Sequence, residues 1–227
     1  MKVLVVGDLH GEWGSLNKLI NKKNPDIVLQ CGDFGWWPHF GNVDDSTWGV
    51  KPQGSKVYWC DGNHEQHTSL VQNGGVNEVY NGVYHGSRGS TLTLPDGRVV
   101  LFMGGADSID KNWRTSGRDW FPEENITTAQ FELAMSHERV DIVISHTCPY
   151  SFMMTGRKSG SNDPNCFRLD HILQKYHPDL WYFGHWHENR LGNHNNTKWE
   201  CLDFPSNWGR WWTWLGDEHQ EEILDGR

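Results

Sequence analysis

The stretch Gly62-Asn63-His64-Glu65 follows the apolar run Val57-Tyr58-Trp59 and sets two chemically useful side chains side by side. An asparagine carbonyl is a hard oxygen ligand, and a histidine can move a proton without ligating anything. Other turns in the chain carry matching chemistry. Asp8-Leu9-His10 closes the first apolar run, and its i, i+2 spacing turns both side chains to one side of an extended segment. Gly32-Asp33 closes the second run, His146 a later one, and Gly184-His185-Trp186-His187 the last. Asp8, His10, Asp33, Asn63, His146, His185 and His187 form a nitrogen and oxygen donor set without thiolate, which suits manganese, iron, zinc and similar divalent ions. Seven donors are too many for one tetrahedral site and about right for two.

These turns need a scaffold that brings them together. Residues 2–7 are a short, continuous apolar run rich in β-branched side chains, the pattern of a strand buried on both faces. Residues 12–22 carry Trp13, Leu16, Leu19 and Ile20 on one helical stripe. Residues 26–31 repeat the strand, and a helix is expected after Glu65, with Glu65 capping the turn or the start of that helix. From 83 to 103 the pattern becomes antiparallel, with a hairpin of 90–94 and 98–103 around Pro95-Asp96-Gly97. The loop of residues 104–124 holds Arg114 and Arg118. Thr127 or Thr128 then caps a helix to about 137, followed by a strand at 141–145, a helix at 167–176 and a strand at 180–183. Residues 198–203 and 211–215 should add antiparallel strands, and the tail from 218 reads as loose. In open α/β sheets ligand sites form outside the carboxyl ends of strands, so these turns should converge.

Composition narrows the function. At 227 residues the chain suits one domain spanning 1–227, and no apolar run approaches the roughly 20 residues of a membrane span. A cytoplasmic protein is expected, with no signal-peptide pattern at the N-terminus. Five dispersed cysteines without CxxC spacing argue against a disulfide framework or a zinc-thiolate site; Cys31 and Cys60, just before two of the turns, read as buried core residues. A net charge of -9 disfavours extended nucleic-acid binding and suits a small substrate met by cations in the site.

The ordered blocks Asp-x-His, Gly-Asp, Gly-Asn-His-Glu, His and Gly-His-x-His, running from Val3 to His187, resemble the signature of the calcineurin-like metallophosphoesterases. The resemblance implies an α/β fold, a four-layer αββα sandwich of two mixed β-sheets flanked by helices. It implies two divalent metal ions, manganese first, with iron, zinc or nickel as alternatives. Asp8, His10 and His187 would hold one ion, Asn63, His146 and His185 the other, and Asp33 would bridge them. In such a centre a bridging hydroxide attacks phosphorus in line, and His64 protonates the leaving oxygen.

The chain departs from one branch of that family. Protein phosphatases continue the second motif as Gly-Asp-x-x-Asp-Arg-Gly, whereas this chain reads Gly32-Asp33-Phe34-Gly35-Trp36-Trp37. Trp36 and Trp37 lie just past the bridging acid, where they could stack on a nucleobase. No arginine precedes Arg88, while Arg114, Arg118 and Arg157 belong to later loops. Without arginine forks in the first motifs, the expected substrate is a small phosphodiester of nucleotide type; a phosphomonoester or phosphoprotein is the alternative, and a non-catalytic metal-binding scaffold the rival from another class.

Overall fold

The computed structural model describes residues 1–37, 49–70, 72–154 and 163–216. His39, Arg157, His219 and the tail from 218 lie outside the described residues.

Side-chain alternation along the strands builds the layers. In β1 (Val3–Val6), β2 (Ile27–Gln30) and β3 (Lys56–Trp59), residues Val3, Val5, Ile27, Leu29 and Tyr58 face a central apolar layer. Leu4, Val6, Val28, Val57 and Trp59 point the other way, onto Leu16, Leu19 and Ile20 of α1 (Trp13–Lys23). A second set of strands repeats this: in β7 (Val99–Met103), β8 (Ile142–Ser145) and β9 (Leu180–Phe183), Val100, Phe102, Ile142, Ile144 and Tyr182 enter the central layer. Leu101, Met103, Val143, Trp181 and Phe183 face Ala134 of α2 (Thr128–Met135) and Leu169, Ile172 and Leu173 of α3 (Pro164–Tyr176). Strands with apolar side chains on both faces bury both, which is why these runs are continuous rather than alternating. The outcome is helix, sheet, sheet, helix.

The first sheet runs β12-β1-β2-β3-β5-β4 and the second β10-β11-β9-β8-β7-β6, with parallel centres and antiparallel edges. The outer strands are β4 (Val76–Tyr80), β5 (Val83–Gly86), β6 (Thr91–Thr93), β10 (Arg190–His194), β11 (Thr197–Cys201) and β12 (Trp212–Trp214). Thr127 caps α2 in a reciprocal box with Gln130, and Asp163 caps α3, whose first turn takes Pro164.

Four expectations need correction. After Glu65 there is only a 3-10 turn at His67–Ser69, because His67 is drawn into a buried polar cluster. Residues 83–86 do not begin an antiparallel run alone: β4 and β5 form a hairpin about Asn81-Gly82, and the far edge of β5 pairs parallel with β3. Likewise β11 is parallel to β9 and antiparallel to β10, since a hairpin at Asn195 returns the chain before it joins the sheet. Helix α3 starts three residues early, at its Asp163 cap.

The polar cluster ties the two sheets at their carboxyl ends. Asp61, following β3, is fully buried and accepts the Arg88 Nε–H at 2.9 Å as well as an Arg88 terminal N–H. Arg88 also donates to the carbonyls of Glu123 and Asn125 at 2.9 and 2.7 Å, and the Asp61 carbonyl accepts the Gly105 N–H at 2.8 Å beyond β7. Burial alone would raise the Asp61 pKa, but Arg88 and His85 hold it well below the usual range. Burial and Arg88 push His67 down to about 3, so it contributes no charge at neutral pH. Removing one partner of such a pair strands a buried charge. Arg88→Met should therefore destabilise the fold by about 3 to 5 kcal/mol in urea denaturation, and a loss under about 1 kcal/mol would show that the pair is not structural.

Candidate metal centre

The carboxyl ends of β1, β2, β3, β8 and β9 meet at the seam between the sheets, and the turns beyond them carry the sequence-predicted donors. Asp8 and Asp33 are buried at 0% and 1% exposure. His10 Nε2 and His187 Nε2 lie 3.0 Å apart, and Asp8 Oδ2 is 3.3 Å from His187 Nε2 and 3.8 Å from His10 Nε2. Asn63 Oδ1 lies 2.9 Å from His146 Nε2, which is 3.5 Å from Asp33 Oδ1. The other Asp33 oxygen turns to the first group, 3.6 Å from His10 Nε2. His185 stands edge to face against His146, with ring centroids 4.9 Å apart. The donors thus gather as two groups that share Asp8, one with His10 and His187 and one with Asp33 and His146, and Asn63 and His185 stand beside His146.

The donor chemistry fits divalent cations. His146 Nδ1 faces the Cys31 carbonyl at 2.9 Å, so a neutral ring that donates there presents its Nε2 lone pair to the site. That lone pair meets another acceptor, Asn63 Oδ1. Atoms bound about 2.1 Å from one cation stand about 3 to 3.4 Å from each other, slightly more than the 2.9 Å between these two acceptors.

Local backbone holds this arrangement under strain. His10, Asp33, His185 and His187 all have left-handed backbones, with φ of 47°, 49°, 68° and 50°. Each costs on the order of 1 to 3 kcal/mol, tolerated where surrounding structure over-determines it. The Glu65 carboxylate accepts the N–H groups of Phe34 at 2.6 Å and Trp36 at 2.5 Å, pinning the turn after Asp33. Both Asp8 oxygens accept the His185 N–H at 3.0 Å, which locks the first motif to the last. Burial alone would raise the Asp33 pKa, yet His146, His64, His10 and the His64 N–H hold it far below the usual range. His187 is raised by its hydrogen bond to Asp8, and His185 is lowered by burial and by His146.

His64 stands outside the donor groups. Its N–H donates to Asp33 Oδ1 at 2.8 Å, its carbonyl accepts the Trp37 indole N–H at 2.9 Å, and its Nε2 accepts an Arg114 N–H at 2.8 Å. Burial keeps its pKa below the ordinary value, with Asp33 opposing and Arg114 reinforcing. Arg114, gripped by both Asp110 oxygens, lines with Asp33, Asn63, His64, His185 and His187 a cleft of about 180 Å³. A cavity of about 610 Å³ beside Leu180, Trp199 and Gly216 lies away from all of these donors, so its size does not make it the reactive site.

Two substrate expectations change. Trp36 is packed in the core at 9% exposure, its ring 5.8 Å from that of Trp59 and its indole N–H on Ser69 Oγ at 2.8 Å, so no face is left for a base. Arg118 is exposed and does not line the cleft. Ser108 and Glu124, which touch Asn63 directly or through one another, escaped the sequence reading. They follow β7, whose carboxyl end opens onto the same seam, and that position was the available signal.

With this geometry in place, comparison with known proteins is decisive on kinship: the family model described as calcineurin-like phosphoesterase matches residues 1–189. The chain belongs to that family. Calcineurin-like phosphoesterases are metal-dependent, in keeping with the donor groups here. No curated protein matches the sequence. Among solved structures, TT1561 of Thermus thermophilus is similar with a TM-score of 0.55 at 11% identity, over 89% of each chain. Phosphopantetheinyl hydrolase (PptH) of Mycobacterium tuberculosis gives 0.52 at 14% identity over 97% of each. GAP50 of the Plasmodium inner membrane complex gives 0.51 at 13%, over 88% of this chain and 70% of that one. At such identities the likeness speaks for the fold alone. No helix among the described residues is long and apolar enough to cross a membrane.

Close packing of glycine onto the buried acids of this calcineurin-like centre yields a test. A Cβ on Gly62 would collide with Asp33, and one on Gly184 with Asp8. Gly62→Ala and Gly184→Ala should each weaken manganese binding by about 10- to 100-fold in calorimetric titration, because a displaced carboxylate no longer meets its neighbours. Parental affinity in both variants would remove Asp8 and Asp33 from the metal centre.

Proposed function

We propose that this chain hydrolyses small phosphate monoesters at a dinuclear centre. Asp8, His10 and His187 would hold one divalent cation and Asn63, His146 and His185 the other, with Asp33, whose two oxygens face His10 and His146, near both. Manganese suits this oxygen and imidazole set, as do iron, zinc and nickel. When bound, the cations supply Lewis acidity for attack by water and screen the phosphate charge.

The observation that carries the monoester reading is Arg114 in the cleft. A monoester carries close to two negative charges near neutral pH, and a guanidinium offers a fixed fork to the phosphate oxygen that the cations do not meet. Asp110 takes Nε and one terminal nitrogen of that guanidinium, which fixes the direction of the remaining N–H groups before any substrate arrives. The diester expectation rested on the lack of arginine in the first motif loops and on tryptophans at the rim. Arg114 from a later loop and the packing of Trp36 in the core both count toward the monoester. A phosphate oxygen that takes over the Arg114 N–H frees the His64 Nε2 lone pair, which can then take up a proton from water and pass it to the leaving oxygen.

With manganese at one pH, nitrophenyl phosphate should show a higher kcat/KM than bis(nitrophenyl) phosphate. Arg114→Ala should lower the monoester value about 10- to 100-fold, the worth of a charge-assisted hydrogen bond, and leave the diester nearly unchanged. A diester preference indifferent to Arg114 would restore the diester reading.

For His64→Ala, metal content should stay at two ions per chain. Its rate on an alkyl phosphate should fall about 10²- to 10⁴-fold, and much less on nitrophenyl phosphate, whose leaving group needs no proton. An equal loss on both esters would assign His64 to positioning or charge stabilisation instead.

A further inference from the structure

We infer that Glu124 and Ser108 decide which end of the Asn63 side chain faces the metal centre. The inference rests on Asn63 as a ligand and adds two positioning residues from a different loop.

The argument is one of hydrogen-bond polarity. Glu124 is fully buried and receives three donors: the Ser108 N–H at 2.8 Å and Trp120 Nε1–H at 2.9 Å on Oε1, and the Ser108 hydroxyl at 2.6 Å on Oε2. As a carboxylate Glu124 accepts all three; burial raises its pKa, and these Ser108 and Trp120 donors oppose that rise. Ser108 therefore spends its single hydroxyl hydrogen on Glu124. Its oxygen has two lone pairs left, and it meets Asn63 Nδ2 at 3.0 Å and, at 3.4 Å, an Arg114 N–H. Toward Asn63 it can only accept, so it selects the amide NH₂. The carbonyl Oδ1 is then left on the opposite side, facing His146 Nε2.

The polarity can be inverted without changing shape. In Glu124→Gln the amide keeps one oxygen for the Ser108 and Trp120 N–H groups and turns its NH₂ onto Ser108 Oγ. The hydroxyl hydrogen is released and can donate to Asn63 Oδ1, which favours rotation of the amide and aims an NH₂ at the cation. The other metal group, Asp8, His10 and His187, has no contact with Ser108 or Glu124.

Calorimetric titration of the metal-free full chain with manganese tests this, together with thermal unfolding of each metal-free variant. Glu124→Gln and Ser108→Ala should weaken one of the two binding steps by about 10- to 100-fold and leave the other unchanged, whereas Ser108→Thr, which keeps the hydroxyl, should stay within about threefold of the parent. A purely structural role would lower the unfolding temperature and weaken both steps together, and that result would overturn the inference. So would parental affinity at both steps in Ser108→Ala and Glu124→Gln when Asn63→Ala loses one step. If Asn63→Ala itself keeps both steps, the ligand reading of Asn63 fails and this inference falls with it. Should Glu124→Gln not fold, the contrast between Ser108→Ala and Ser108→Thr decides.

Discussion

Two carboxylates buried where the sheets meet, Asp8 and Asp33, impose the constraint to which the surrounding structure answers. A carboxylate taken out of water costs several kcal/mol unless charge or hydrogen bonds replace the lost hydration. Here backbone N–H groups of His64 and His185 supply part of that replacement, and imidazoles ring the rest. Hydrogen bonds of this kind leave each acid with lone pairs facing imidazole nitrogens, and those lone pairs suit cations. The stability of the seam and the chemistry of the centre are therefore one electrostatic problem.

That problem is solved by rigid elements, with strain confined to the turns. Each donor stands within a few residues of a strand whose other side chains are locked in the apolar layers, so its Cα has little freedom. Left-handed backbone at His10, Asp33, His185 and His187 then aims the side chains inward. Pairing that strain with close packing of Gly62 and Gly184 on the acids leaves no room for relaxation. Such pre-organisation lets a site hold charge without reorganising when charge develops.

A second polar cluster does related work one layer back. Asp61 directly precedes Gly62 and pairs with Arg88, which reaches the carbonyls on either side of Glu124. Glu124 grips Ser108, and Ser108 touches Asn63. The Gly62-Asn63-His64 turn is thus held at its start by one ion pair and at its asparagine by a second chain of hydrogen bonds. Arg114 belongs to the same loop, so phosphate recognition and ligand orientation share a support.

The sequence by itself determined the strand ends and their chemistry. Short apolar runs at Val3–Val6, Ile27–Gln30, Ile142–Ser145 and Leu180–Phe183, rich in β-branched and aromatic residues, read as strands buried on both faces, and the acids and histidines that follow them leave the apolar layers at one edge. The stripe on α1 and the threonine cap of α2 were equally local and equally readable. Tertiary structure alone decided what depends on pairing across distance. Whether β11 lies parallel or antiparallel to its neighbours follows from which edge β9 leaves open, and a strand of five residues does not encode that. A tryptophan after a motif reads the same whether it overhangs a cleft or fills a core; Trp36 was decided by the space beside Trp59 and the hydroxyl of Ser69. Arg114 and Glu124 come from a loop far along the chain from the turns they serve, and only the fold of that loop brings a guanidinium to His64 and a carboxylate to Ser108. Local pattern fixes which face a side chain takes, because that depends on backbone period; the neighbour it meets there depends on chain closure, which no local pattern contains.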